Sequence, residues 1–212
     1  MKARRDAPRD QGASAISGIL MRLCDASDAI AAALVDASGE TVDYAGHLEP
    51  FDARVMAAEL RLLQSVLGRS RSRDLARTHE LVIRAARQSF LLRALSEGYS
   101  LAVVLPRYAF RLSRRALAEA ETELAAETAL VPCVPADPGR WFRVEVRLAQ
   151  SEAPRPEAVW LEGGWRPVTI VGRLQARDLG PGELGFLAQL GTGAELVLVR
   201  ERPGRWFAGV PA

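Results

Sequence analysis

The sequence has no asparagine, a single lysine (Lys2), two histidines and two cysteines among its 212 residues. Cys24 and Cys133 are too few for a disulfide framework, so a reducing cytoplasm is the expected compartment. No run of about 18 apolar residues occurs, which excludes a membrane-spanning helix, and the charged start MKARRDAPRD lacks the apolar segment of a secretory signal. Charge of one sign is missing too. Residues 1–130 carry 18 basic and 17 acidic groups, and residues 131–212 carry 10 and 9. Neither half therefore offers the positive field that non-specific nucleic-acid binding needs. Of the 28 basic residues 27 are arginine. Together with the absent asparagine, this bias points to a GC-rich bacterial coding sequence.

What is present suits a globular protein: 49% of residues are hydrophobic and 25% charged. Composition divides the chain near residue 130. All four tryptophans (Trp141, Trp160, Trp165, Trp206) lie beyond it, and the alanine-rich amphipathic stretches lie before it. Between them Pro132, Pro135 and Pro138 recur every third residue, which reads as a stiff, extended connector. The expected organisation is a loose tail over 1–13, a first domain over 14–127, a linker over 128–140 and a second domain over 141–212.

In the first domain Ser14 can cap a helix carrying Ile16, Ile19, Leu20 and Leu23 on one face. The segment AIAAALV is apolar on both faces, as a central strand is, and Asp36-Ala37-Ser38-Gly39 turns it into a hairpin with ETVDYAG. A helix from Asp52 to Leu67, ended by Gly68, follows. Its apolar arc of Phe51, Val55, Met56, Leu60, Leu62, Leu63, Val66 and Leu67 covers about half the circumference. That is wider than one sheet contact needs, so it could serve a sheet on one side and a partner on the other. Glu59 interrupts the arc at its centre, either marking a gap between the two contacts or lying at a subunit axis opposite Arg54 or Arg61 of the other subunit. The stretches ELVIRAA, SFLLRAL and YSLAVVL form an antiparallel meander, and a last helix runs from about Arg111 to Ala126.

The order is helix, strand, strand, helix, three strands, helix. With the hairpin Leu34-Val35-Asp36-Ala37-Ser38-Gly39-Glu40-Thr41-Val42 and the apolar strand Leu101–Leu105, it resembles the Roadblock-type dynein light chain family over about residues 14–127. The resemblance implies an α+β fold, a five-stranded antiparallel sheet with helices (profilin- or longin-like). It also implies a homodimer in which the middle helix and third strand pair across a two-fold axis. On that reading Val55, Met56, Glu59, Leu60, Leu63, Leu67, Leu81 and Ile83 form the dimer interface. The paired helices of bacterial relatives form a platform for a small Ras-like GTPase, which makes the protein a non-catalytic regulator or scaffold. Arg54, Arg61, Gln64, Arg69, Arg71, Arg73, Arg111, Arg114 and Arg115 are then the residues expected to meet an acidic partner. Solvated charge is the plainer account of the two arginine groups.

The second domain matches no family by its residues. WFRVEVRLA alternates with Phe142, Val144, Val146 and Leu148 on one face, EAVWLE and WRPVTIVG form a hairpin about Gly163-Gly164, and ELVLVR pairs with RWFAGV. PGELGFLAQLG reads as a short helical turn. About five strands in 70 residues predict a small antiparallel barrel. Its tryptophans could bind a peptide or, by stacking, a nucleic acid, which gives an alternative reading of the chain as a dimeric adaptor.

Reaction chemistry is sparse. Gly180-Pro181-Gly182-Glu183-Leu184-Gly185 spells G-x-G-x-x-G but lacks the helix and acidic strand end that dinucleotide binding requires. His47 and His79 share no metal-ligand spacing, Cys24 borders an apolar helix face, and Cys133 has no neighbouring base. The sequence predicts neither an enzyme nor a cofactor or metal site.

Overall fold

The computed structural model describes residues 10–106, 112–134, 141–150, 153–175, 179, 182–201 and 204–209. The chain forms two compact units, Met1–Ala136 and Asp137–Ala212. No helix among the described residues is long and apolar enough to cross a membrane.

The first unit runs α1 (Ala15–Ser27), β1 (Ala31–Val35), β2 (Thr41–Gly46), α2 (Pro50–Gly68), α3 (Arg73–Ala76), β3 (Glu80–Arg84), β4 (Gln88–Ala94), β5 (Ser100–Pro106) and α4 (Arg114–Thr128). Its five strands form one antiparallel sheet in the order β2-β1-β5-β4-β3. The runs that are apolar on both faces, β1 and β5, are central and fully buried. One sheet face carries Ala31, Ala33, Val35, Tyr44, Leu92, Ala102 and Val104, and α2 covers it with Ala53, Met56, Ala57 and Leu60. The opposite face carries Ala32, Leu34, Leu91, Leu101 and Val103, and α1 and α4 pack side by side there.

Local chemistry explains the element ends. Ser14 and Ser17 form a reciprocal cap on α1, and Ser113 caps α4 through the Ala116 amide. In the β1–β2 turn the Asp36 carboxylate accepts from the amides of Ser38, Gly39 and Glu40 and from the Ser38 hydroxyl. These bonds, the Ser38 hydroxyl first, hold its carboxyl below the usual range. The turn's contribution to stability is therefore complete above the ordinary carboxylate pKa and fades as pH falls through the depressed value. Pro50 occupies the first turn of α2, where its missing N–H costs nothing. The helix does not end on a left-handed glycine: Gly68 is its last residue, and Arg69 caps it at φ −92°.

Gly46 is where this sheet tolerates no side chain. Its φ is +114°, and a Cβ there would stand 2.4 Å from the Ile30 carbonyl and 2.6 Å from Ala31 Cα. Gly46→Ala is expected to destabilise the chain by about 2–3 kcal/mol, measured by urea denaturation.

Two expectations at the borders of this unit change. Asp10, placed in the loose tail, is held by Arg54 at 2.6 Å and by the Tyr44 hydroxyl at 2.6 Å. These bonds, Arg54 first, keep its carboxyl below the usual range. The expected linker is also partly built in. Thr128 still belongs to α4, Leu130 is buried, and the next residues run antiparallel to the end of β4. The amides of Ser96 and Cys133 donate to the carbonyls of Val131 (2.7 Å) and Ala94 (3.1 Å).

The second unit is a nearly closed antiparallel barrel. Its strands are β6 (Trp141–Val144), β7 (Val146–Leu148), β8 (Pro156–Leu161), β9 (Gly164–Arg173), β10 (Leu184–Leu190), β11 (Glu195–Arg200) and β12 (Trp206–Gly209), in the sheet order β6-β12-β11-β10-β9-β8-β7. The expected single strand WFRVEVRLA is broken at Glu145. Its first half pairs with β12 and its second with β8, so one stretch of chain supplies both ends of the sheet. The break corrects the alternation: Val144 is buried, whereas Phe142 and Leu148 are exposed. PGELGFLAQLG is also not a helical turn over its described part, since Leu184–Leu190 is strand β10. Val144, Val159, Phe186, Leu196, Leu198 and Trp206 fill the core.

Candidate functional site

The site is the outward half of α2 together with the sheet beside it. The wide apolar arc divides in two. Ala53, Met56, Ala57 and Leu60 are buried on the sheet, while Phe51 (71% exposed), Val55, Leu62 (63%), Leu63 and Val66 (57%) face solvent. Met56 and Leu60, expected at a dimer interface, belong to the chain's own core. Phe51, Leu62 and Val66, left out of that expected interface, are the most exposed apolar positions of the helix. Helical geometry alone cannot tell which half of a wide arc meets the sheet. Val55 and Leu63 are exposed, Leu67 is half-buried, and Glu59 is exposed at the middle of the outward half.

α2 lies over β1, β2 and β5. Among the described residues α2 makes its main sheet contacts away from β3 and β4, and on the same face of those strands Leu81, Ile83 and Phe90 are only partly buried. β3 is also an edge strand of this sheet. An exposed apolar helix stripe beside a half-covered apolar strip has the character that marks association surfaces in other proteins.

The expected cationic residues scatter. Arg54 pairs with Asp10 and lies 6.0 Å from the Tyr44 ring centre. Arg61 donates to the Ala37 carbonyl at 3.3 Å, and Gln64 accepts from the Ser100 hydroxyl at 2.7 Å. Both are bound into the fold rather than presented. Arg115 is buried, which removes it from any docking surface. Arg69, Arg71 and Arg73 are exposed along the turn into α3, a short helix where a loop was expected, and Arg114 is exposed at the start of α4. Arg111 lies outside the described residues.

Sequence reasoning missed Arg93. It is buried on the α4 side of β4, donating from Nε to Glu121 at 2.9 Å, from Nη1 to Glu80 at 2.9 Å and from Nη2 to the Val134 carbonyl. The signal is present in the chain: Arg93 shares a strand face with Leu91 and Leu95, and Glu121 follows Leu117 by one helical turn.

A cleft of about 450 Å³ lies at the end of α2, lined among others by Arg61, Gln64, Leu75, Tyr99 and Cys133. No histidine lines it, and the Cys133 thiol donates to the Leu95 carbonyl at 3.4 Å. Burial, helped by the Asp25 charge, pushes the Cys24 thiol up to about 12, so it stays protonated and inert. A thiol reagent should therefore label one residue per native chain, the exposed Cys133, and two after denaturation. Among the described residues no group of three or more His, Cys, Asp or Glu could hold a metal. Of the G-x-G-x-x-G stretch, Gly180 and Pro181 lie outside the described residues. Gly182 is in a turn at φ +78°, and Gly185 sits in β10, where a Cβ would meet Leu174 at 2.6 Å.

The barrel carries a second exposed feature. Trp160 and Trp165 pair across β8 and β9 with ring centres 5.6 Å apart, and the Arg147 guanidinium lies 4.6 Å from the Trp165 ring centre.

The first unit thus has the expected element order and five-stranded antiparallel sheet, with an apolar helix stripe on its surface. No family model and no curated protein matches the chain. Among solved structures it is similar to Myxococcus xanthus MglB, with 20% identity over 56% of this chain and 98% of that one, at a TM-score of 0.47. It is also similar to a Roadblock/LC7 domain from Streptomyces avermitilis (24% identity, 52% and 88%, TM-score 0.40). A third similar structure is the gliding protein MglB from Thermus thermophilus (21% identity, 57% and 96%, TM-score 0.40).

Proposed function

We propose that the chain is a cytoplasmic, non-catalytic homodimer that regulates or scaffolds a small Ras-like GTPase. The observation that carries the dimer is the divided arc of α2: its outward half is apolar, and the strip of β3 and β4 beside it is half-covered. A second copy of α2 laid over Leu81, Ile83 and Phe90 would bury both. The resemblance of the fold supports the GTPase, and to its contact we assign the exposed cations Arg69, Arg71, Arg73 and Arg114.

The test mixes the full chain with Ras-like GTPases encoded in the same genome, in both nucleotide states. Binding to one state, or a changed rate of GTP hydrolysis, is expected. Absence of both with every such GTPase would remove the GTPase. Light scattering at micromolar concentration tests the dimer separately.

A second reading rests on the barrel. The exposed Trp160–Trp165 pair with Arg147 is a surface of the kind that contacts a peptide, in which case the first unit dimerises an adaptor. The balanced charge of the unit favours a peptide over a nucleic acid. Loss of peptide capture in Trp160→Ala, with GTPase binding absent, would favour this reading.

A further inference from the structure

The cleft at the end of α2 is lined by a cation without a counter-charge. Arg61 is only partly exposed there. Its one hydrogen bond among the described residues runs from Nη2 to the neutral Ala37 carbonyl at 3.3 Å, and its Nε is buried without a partner. Arg54 and Arg93, by contrast, each pair with a carboxylate. A Cβ on Gly98 would stand 3.1 Å from Ala37 Cβ and 3.8 Å from Arg61 Nη2, so the β1–β2 and β4–β5 turns close around the guanidinium. A cation drawn out of water in this way favours an anion beside it. Two more donors line the same cleft. The Gln64 side-chain oxygen accepts from the buried Ser100 hydroxyl at 2.7 Å, which leaves the NH2 end of that amide to donate elsewhere. The Tyr99 hydroxyl makes no bond among the described residues.

We propose that this cleft binds a small apolar α-amino acid, its carboxylate on Arg61 and Gln64 and its ammonium towards Glu97. Glu97 is exposed, lines the cleft and makes no ion pair with Arg61. It sits in the β4–β5 turn at φ +56°, a backbone conformation that favours glycine or asparagine, and no bond of its carboxylate within the described residues accounts for an acid there. An acid at the mouth disfavours a second negative charge on the ligand and attracts a positive one. Leu95 and Leu75 supply apolar wall for the side chain. The volume of about 450 Å³ is that of a small-molecule site. This site is independent of the dimer and the GTPase proposed above, and its failure would leave both standing.

The cleft carries its own reporter, because the exposed Cys133 lines it and Cys24 is buried. The test is the rate at which iodoacetamide alkylates Cys133 in the full chain, with L-leucine and L-phenylalanine as probes. At about 10 mM the better of the two should slow alkylation by about tenfold, as a ligand of about 1 mM affinity covering the thiol would. Leucinamide, which lacks the carboxylate, should give no protection, and 4-methylpentanoate, which lacks the ammonium, should protect about tenfold more weakly. Arg61→Ala should abolish protection. Since Arg61 also ties down the Ala37 turn, Glu97→Gly is the second variant: glycine suits the turn, Cys24 should stay unlabelled, and leucine should then protect no better than 4-methylpentanoate. No slowing by either amino acid would overturn the site. Equal protection by leucinamide, or protection that survives Arg61→Ala, would overturn the place of the carboxylate. Unchanged leucine protection in Glu97→Gly would overturn that of the ammonium.

Discussion

Arg93→Ala is expected to lower the free energy of unfolding by about 3–5 kcal/mol, the largest effect on stability of any single polar substitution in the first unit. Arg93 and Glu121 are both nearly inaccessible, with side-chain exposures of 6% and 4% and the closest atoms 2.8 Å apart. Removing the guanidinium takes from the buried Glu121 carboxylate the charge that pairs with it at 2.8 Å, and the cost of that exceeds the worth of the pair itself. The same change frees the Glu80 carboxylate at the sheet edge and the Val134 carbonyl. Denaturant unfolding measures the first effect. Faster proteolysis around Val131–Val134 would show the second. Replacing both partners by apolar residues, Arg93→Met with Glu121→Leu, should recover most of the loss. If Arg93→Ala unfolds like wild type, the cluster is not an energetic centre of the fold.

Leu62→Glu combined with Val66→Glu is expected to weaken the proposed dimer more than 100-fold while leaving each chain folded. Both side chains face solvent in the single chain, so the substitutions remove nothing from its core. Across a two-fold axis they would bring four new carboxylates into the contact. Desolvating such charges without partners costs several kcal/mol in total, and each 1.4 kcal/mol is a factor of ten in affinity. The contrasting pair is Met56→Ala and Leu60→Ala. These residues lie on the same helix but face the sheet, so each is expected to cost about 2–5 kcal/mol of fold stability. Light scattering and circular dichroism together separate the outcomes. If the double Glu variant stays dimeric, the interface lies elsewhere.

Most of the first unit is legible in the sequence because its signals are local. Ser14, the Asp36 turn and the doubly apolar strands β1 and β5 each state their role within a few residues. The width of the α2 arc points to two contacts. Which residues serve which contact depends on the rotation of the helix on the sheet, and so Met56 and Leu60 fall on the side opposite to the one expected. Arg115 departs from expectation for a related reason: charge argues for solvent, but its place in α4 faces the packed layer. The barrel is legible as a barrel but not in its closure. WFRVEVRLA alternates so regularly that nothing in it marks Glu145 as a corner, and only the different partners of its two halves, β12 for the first and β8 for the second, impose the bend.

The strand broken at Glu145 has a consequence for how the second unit forms. Its two halves are held by β8, which is close in the chain, and by β12, which is the last strand of all. The pairing of Val144 with Trp206 joins the beginning of the unit to its end, a closure that cannot precede the ordering of the hairpins between. Folding of this unit should therefore be slow for its size, with the ring sealed late. Until then a truncated or nascent chain lacking residues 206–209 exposes two open strand edges, and such chains should be the ones that aggregate.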